Sequence, residues 1–142
     1  REPSALVTVS RRAVTYLIDT DYVVDWLVGA PRRVQLLPPL IQAGAAISII
    51  TFGEIYEGIY YSRDPERAEN GFRNFLRGVE VLPLNRTTMK CFARIRGDLR
   101  RRGNLISDPD LLIAATALTR GLILVTRNRR HFQPIPGLSI YP

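Results

Sequence analysis

One cysteine, one histidine, one tryptophan, one methionine and one lysine are all that the 142 residues hold of those types. The single thiol, Cys91, excludes an internal disulfide and a cysteine-based zinc frame. Its surroundings, MKCFARI, read as the apolar side of a helix, so a buried spectator in a reducing compartment is expected. The single imidazole, His131, excludes a ribonuclease mechanism built on a histidine pair; beside Phe132 it is expected to pack or to cap. A G-x-S-x-G elbow and a glycine-rich phosphate loop are both missing, which removes two common routes to catalysis. No run approaches the ~20 apolar residues of a membrane span, so a soluble, cytoplasmic protein with no membrane partner is expected.

The pair Arg11–Arg12 before an apolar run has the form of a twin-arginine export signal. Only residues 13 to 18 separate the pair from Asp19, short of the roughly 7 to 15 apolar residues that an export core needs. Residues 1–13 are therefore read as an N-terminal extension and residues 14–142 as one domain, long enough for a core without staples. Hydrophobic residues make up 46% of the chain, and ten glycines and ten prolines are dispersed through it, which excludes disordered and fibrous classes.

The net charge is +7, and every basic residue but Lys90 is arginine. A guanidinium is a planar fork of donors matched to phosphate, which points to an anionic partner such as nucleic acid. A genomic preference for arginine gives the same composition, so the charge is half an argument.

Short β-rich runs alternate with helical patterns. VTYLI (14–18), AAISII (45–50), VEVL (79–82), LILV (122–125) and LSIY (138–141) read as buried parallel strands. Helices are expected at about 21–29, 31–43, 52–61, 64–77, 86–102 and 109–120, with Pro38 and Pro39 interrupting the second. The pattern predicts an α/β three-layer sandwich: a mainly parallel sheet of about five strands flanked by helices.

In such sheets the functional site lies beyond the carboxyl ends of the strands. Asp19 ends the first strand, Thr51 to Glu54 follow the second, Thr126 to Asn128 follow the fourth, and Asp108 and Asp110 open the helix leading into that fourth strand. Most of these acids have structural explanations. T-x-x-E at Thr51–Glu54 fits a capping box. Asp108 fits an N-cap before Pro109, Asp110 a first-turn acid, Asp21 the cap of the first helix and Asp25 a solvated residue one turn later. Asp19 has no such explanation, because an unpaired carboxylate at the end of a buried strand is costly. If Glu54 and Asp110 converge on it, three hard oxygen donors suit Mg²⁺ or Mn²⁺.

YLIDTD, SIITFGEIYEGI, LRRRGNLISDPDLLIAATAL and LILVTRNRRHFQPIPGL, in that order between Tyr16 and Pro142, resemble the PIN-domain nucleases, and among them the VapC-type toxins of toxin–antitoxin pairs. The resemblance implies a PIN-like fold and a metal-dependent endoribonuclease that leaves 5′-phosphate and 3′-hydroxyl ends. It places Asp19, Glu54 and Asp110 at the family's three acidic, metal-holding positions. Asn128 stands at a fourth position, where an amide orients water or a carboxylate but brings no charge. Asp108 is close enough in sequence to serve as a secondary acid. The implied partners are RNA, a cognate antitoxin and a second copy in a homodimer.

Arg100, Arg101, Arg102 and Arg127 are the expected RNA contacts, although a basic run is also how a solvated helix face reads. Tyr56 and Tyr60 are expected either as packing or along a groove for the antitoxin or the dimer partner. Two rivals stand beside this reading. One is a non-catalytic PIN-like module that binds RNA or protein. The other is a haloacid-dehalogenase-type phosphatase with Asp19 as nucleophile, for which Lys90 sits poorly inside an Arg-rich helix and Glu54 has no role.

Overall fold

A computed structural model of the chain describes residues 13–142. The predicted extension, with its arginine pair, lies outside the described residues apart from Ala13. The elements are β1 (Tyr16–Ile18), α1 (Thr20–Leu27), α2 (Leu37–Gly44), β2 (Ala45–Ser48), α3 (Ile49–Tyr60), α4 (Pro65–Leu76), β3 (Glu80–Leu82), α5 (Arg86–Arg101), α6 (Asp108–Arg120), β4 (Ile123–Val125) and α7 (Arg129–Phe132). The sheet runs β3-β2-β1-β4 with every pairing parallel.

Alternation along the strands builds the three layers, because successive side chains leave a strand on opposite faces. Leu17, Ala46 and Leu124 join Leu99, Leu111 and Ile113 in a core under α5 and α6. Their neighbours Ile18, Ile47 and Val125 join Leu37, Ile55 and Phe72 in a second core under α1 to α4. Strands covered on both faces read as continuous apolar runs, the reason they were visible in the sequence.

Several boundaries differ from expectation. The fifth strand is reduced to one parallel bridge, Leu124 to Ile140, flanked by the bonds Leu124 N–H to Ser139 O and Tyr141 N–H to Leu124 O. This run lies at the sheet edge and is only half covered, bracketed by a turn at Gly137 (φ 79°) and by Pro142. β2 stops at Ser48, whose buried hydroxyl accepts from the Ile50 amide and caps α3. Thr51 and Glu54 therefore lie inside α3 and form no capping box. Residues 31–36 are turns, and α2 starts at Leu37 with its prolines in the first turn, where a missing N–H costs nothing. Helix α7 was not foreseen. Cys91 is half-buried against the α5–α6 core, and burial raises its thiol pKa, as expected of a spectator.

At the turn from α2 into β2, Gly44 has φ 122° and its carbonyl accepts from the Thr15 amide at 2.9 Å. A Cβ there would collide with the Ala13 carbonyl. Gly97, inside α5, has open space where a Cβ would go. Gly44→Ala should therefore destabilise the fold by about 1–3 kcal/mol or more through backbone strain, whereas Gly97→Ala should stabilise it by about 1 kcal/mol. Urea unfolding of the two variants checks the opposite signs.

Candidate active site

The strand order places β1 between β2 and β4, so the chain leaves the sheet on different sides after β1 and after β4. That switch point is where an α/β sheet opens a crevice at its carboxyl edge. Asp19 follows β1 directly and Thr126 follows β4. Asp19 is 6% exposed and is itself the N-cap of α1, so the expected cap, Asp21, is displaced by two residues. Oδ1 of Asp19 accepts from the Thr20 amide at 2.8 Å, and Oδ2 accepts from the buried Thr126 hydroxyl at 2.7 Å. These two bonds hold the carboxyl plane.

Glu54 reaches the same centre through an intermediary. The Thr20 hydroxyl donates to Glu54 Oε1 at 2.6 Å and lies 2.9 Å from the Thr51 hydroxyl. Thr20 thus binds Asp19 with its amide and Glu54 with its side chain. Asp110 enters from the third residue of α6, whose cap is Ser107 and not Asp108. Asp108 turns instead to Arg96, 2.8 Å away, at the surface. His131, expected to pack or cap, does pack edge-on against Phe132, but its Nε2 also lies 3.0 Å from Asp110 Oδ2. Asn128 is exposed at the start of α7; its amide donates to the Thr126 hydroxyl at 3.0 Å and its side chain caps nothing.

The centre is short of positive charge. Burial, then the neighbouring Asp21 carboxylate, with a smaller part from Asp110, push the Asp19 carboxyl up to about 6 against the opposing hydrogen bonds. Burial raises Asp21 as well, although it accepts from the Arg127 and Tyr22 amides at 2.9 and 2.7 Å. Among the described residues no three histidine, cysteine or acidic side chains converge closely enough to enclose a metal ion. The donor chemistry nonetheless fits Mg²⁺ or Mn²⁺, which bind through one or two carboxylates with water completing the shell. Asp19 and Asp110 would be those two carboxylates, since Asp110 lies near enough to raise the Asp19 proton affinity, and Glu54 stands behind Thr20.

Sequence reasoning missed Thr20, the Asp25 environment, the bond from Thr126 to Asp19 and the contact of His131 with Asp110. Thr20 gave no signal because a lone threonine beside an acid is commonplace, and Thr126 stood out only as the end of the fourth strand. Asp25, expected in solvent, is 3% exposed and faces Arg33 and Arg127; its i+4 spacing from Asp21 was the available clue. Of the expected RNA-binding arginines, Arg102 is engaged by Asp98 and the Pro134 carbonyl, while Arg100 and Arg101 are exposed. Lys90 is exposed within α5, which removes the phosphatase reading's lysine from any strand end.

An apolar groove of about 460 Å³ runs between α1, α3 and α4, lined by Val24, Leu27, Val28, Ile55 and Ile59 with Glu54 also on its wall. Tyr56 and Tyr60 are not on it. Tyr56 packs on Phe52 and Phe72 and donates to Glu69, while Tyr60 leans on Tyr56 and is 68% exposed. Among the described residues no helix is long and apolar enough to cross a membrane.

Residues 16–137 match the PIN domain family. The tRNA(fMet)-specific endonuclease VapC of Salmonella typhimurium is 31% identical over 125 residues, spanning 88% of this chain and 95% of that protein. Ribonuclease VapC1 of Methanocaldococcus jannaschii is 35% identical over 127 residues, spanning 88% and 85%. Among solved structures, DNA-bound VapBC from Salmonella typhimurium superposes with a TM-score of 0.85 at 30% identity, covering 91% of this chain and 98% of that one. VapBC2 from Rickettsia felis, bound to a promoter DNA fragment, gives 0.84 at 27%, covering 90% and 98%. The chain belongs to the PIN domain family, among its VapC ribonucleases.

The raised Asp19 pKa carries a pH dependence. Protonation of Asp19 is easier in the folded state, with a pKa of about 6 against 3.8, so the contribution of Asp19 to the stability of the metal-free fold rises as pH falls from 7 toward 4. The span corresponds to about 3 kcal/mol at most. Asp19→Asn should raise the melting temperature of the metal-free protein at pH 7.5 or so by the equivalent of about 1–3 kcal/mol, a gain that shrinks toward pH 4. Thermal unfolding in EDTA across that range checks it.

Proposed function

We propose that this protein is the toxin of a toxin–antitoxin pair and acts in the cytoplasm as a divalent-metal-dependent endoribonuclease. The observation that carries the reading is the buried Asp19 carboxylate at the sheet's switch point, with the neighbouring Asp21 and Asp110 charges raising its proton affinity, in a chain of the VapC ribonucleases. A divalent cation bound there would supply Lewis acidity toward a phosphodiester oxygen and would acidify water. The chain's own residues prepare the site for it. Thr20 and Thr126 fix the plane of Asp19, His131 fixes one oxygen of Asp110, and Glu54 is held through Thr20 at the rim. Asn128, on the loop whose Thr126 bonds Asp19, is placed to orient water or substrate. Arg100, Arg101 and Arg127 extend the positive surface for RNA, and Arg102 contributes through the loop it ties down.

The partners follow from the surface. The groove between α1, α3 and α4 has the dimensions and apolar lining that take one face of an amphipathic antitoxin segment. Glu54 on its wall sets the active site within reach of a basic residue on that segment. Self-association as a homodimer belongs to the same proposal, and sedimentation velocity tests it.

Asp19→Asn and Asp110→Asn should each lower RNA cleavage in Mn²⁺ by about a thousandfold, the scale of removing a principal electrostatic group. Asp108→Asn, which loses only a surface pair with Arg96, should cut at close to the wild-type rate. Cleavage that persists in either of the first two variants sinks the assigned site. RNA binding by a wild type that never cuts would favour the non-catalytic reading.

Val28 is 69% exposed on the groove wall. Val28→Arg should leave folding and RNA cleavage intact and weaken inhibition by the co-expressed product of the neighbouring gene more than tenfold, a loss of about 1.4 kcal/mol or more. Unchanged inhibition would move the antitoxin to another face.

A further inference from the structure

Among the described residues, Asp25 is the one deeply buried carboxylate that the proposed reaction does not use. Its side chain is 4% exposed and sits between two arginines from distant segments: Arg33 Nη1 is 3.5 Å from Oδ1 and Arg127 Nε is 3.0 Å from Oδ2. The second contact is an ion pair without hydrogen-bond alignment, since Oδ2 accepts from no donor within the described residues. Neither guanidinium is buried with its partner. The Arg33 and Arg127 side chains are 63% and 45% exposed, so each gives one nitrogen to Asp25 while much of its side chain stays in solvent.

Arg127 is held from three directions. Its amide donates to Asp21 at 2.9 Å, its Nε faces Asp25, and its guanidinium carbon lies 6.0 Å from the centre of the Tyr22 ring. The preceding residue, Thr126, donates to Asp19 at 2.7 Å. The arginine's position is therefore tied to the acid centre by one peptide unit and one short bond. Asp21 turns inward, toward the Arg127 and Tyr22 amides and the Thr126 hydroxyl, so its charge is engaged by those donors. A structural ion pair needs one cation. Two half-exposed guanidinia on a single buried carboxylate, one of them on the loop whose Thr126 bonds Asp19, make a prearranged anion receptor.

We propose that Asp25 is a positioning residue that sets Arg33 and Arg127 as a clasp for one backbone phosphate of the RNA flanking the scissile bond. This rests on the reading of the protein as an enzyme that acts on RNA. Arg33, on the turns between α1 and α2, is the second arm, and no feature of its local sequence singles it out. The clasp fixes the strand's register on the α1 side of the centre, while the acids act on the neighbouring phosphate.

The test is fluorescence anisotropy of a labelled single-stranded RNA in EDTA, where binding is read without cleavage, over a range of NaCl. Arg33→Ala and Arg127→Ala should each weaken binding about three- to tenfold at low salt and lower the salt slope by about 0.7. Asp25→Asn separates positioning from charge. Removing a negative charge should tighten RNA binding if charge alone matters, whereas loss of the clasp should weaken it about threefold or more while the slope stays near wild type. If Asp25→Asn melts below the assay temperature, Arg33→Lys replaces it: the slope should persist and affinity fall, because an ammonium cannot reproduce the fork. Alanine variants indistinguishable from wild type overturn the clasp alone. Asp25→Asn binding more tightly than wild type also overturns it. A wild type that binds no RNA at any salt overturns the functional reading together with the clasp.

Discussion

The centre of this molecule is a carboxylate in the wrong dielectric. Asp19 must be buried because β1 runs between two covered sheet faces and ends beneath α1, and burying it unsatisfied would cost several kcal/mol on the order expected for an isolated charge. The fold satisfies it in part, with the Thr20 amide on one oxygen and the Thr126 hydroxyl on the other. Neither donor carries a charge. The deficit remains in the carboxyl's raised proton affinity, which a cation would cancel. Stability is thus given up locally to hold a site ready, the usual relation between strain and function.

From that carboxylate a chain of bonds laces the first and last thirds of the sequence together. Thr126 bonds Asp19 and Asp21, Arg127 bonds Asp21 through its backbone and Asp25 through its side chain, and Asn128 bonds back to Thr126. The loop after β4 is therefore not free to wander, although three of its residues are exposed or end-of-strand. On the other side Thr20 performs the same service for Glu54, and His131 for Asp110. Each acid of the centre has its own neutral or weakly basic companion. A full arginine on any of them would quench its charge, and arginine ion pairs among the described residues fall instead on Asp25, Glu69, Asp98 and Asp108.

Much of this was legible in the sequence, for identifiable reasons. β1, β2, β3 and β4 read clearly because strands buried on both faces leave continuous apolar runs, and Asp19 stood out because it breaks one. The run at 138–141 has the same composition, but composition does not report that an edge position has one neighbour and half the cover. The T-x-x-E motif was misleading for a related reason. A capping box is defined by where the helix begins, and Ser48 starts α3 three residues earlier. Asp25 was taken for a solvated residue because its local context is an ordinary amphipathic helix; its burial is decided by Arg33 and Arg127, eight and about a hundred residues away. His131 escaped assignment because nothing local distinguishes an imidazole that packs on Phe132 from one that also reaches a carboxylate.

At a net charge of +7, the protein brings four of its thirteen acids, Asp19, Asp21, Glu54 and Asp110, toward one sheet edge. Fixed charges of opposite sign mixed evenly over a surface give modest pairing and little long-range field. Here Asp21 and Asp110 lie near enough to Asp19 to raise its proton affinity and Glu54 is joined to them through Thr20, whereas Arg100, Arg101 and Arg127 are exposed. An approaching polyanion would meet exposed arginines first and be slowed at the acidic floor. On the proposed reading that floor would repel phosphate until a cation neutralised it, so engagement of a scissile phosphate would be conditional on the metal. Of the four acids only Asp19 is buried and Glu54 is exposed; because the fields of buried charges are screened least, Asp19 would contribute most to that repulsion. An antitoxin that places a basic side chain against the floor would exploit the same asymmetry, neutralising the acids without supplying a metal's chemistry.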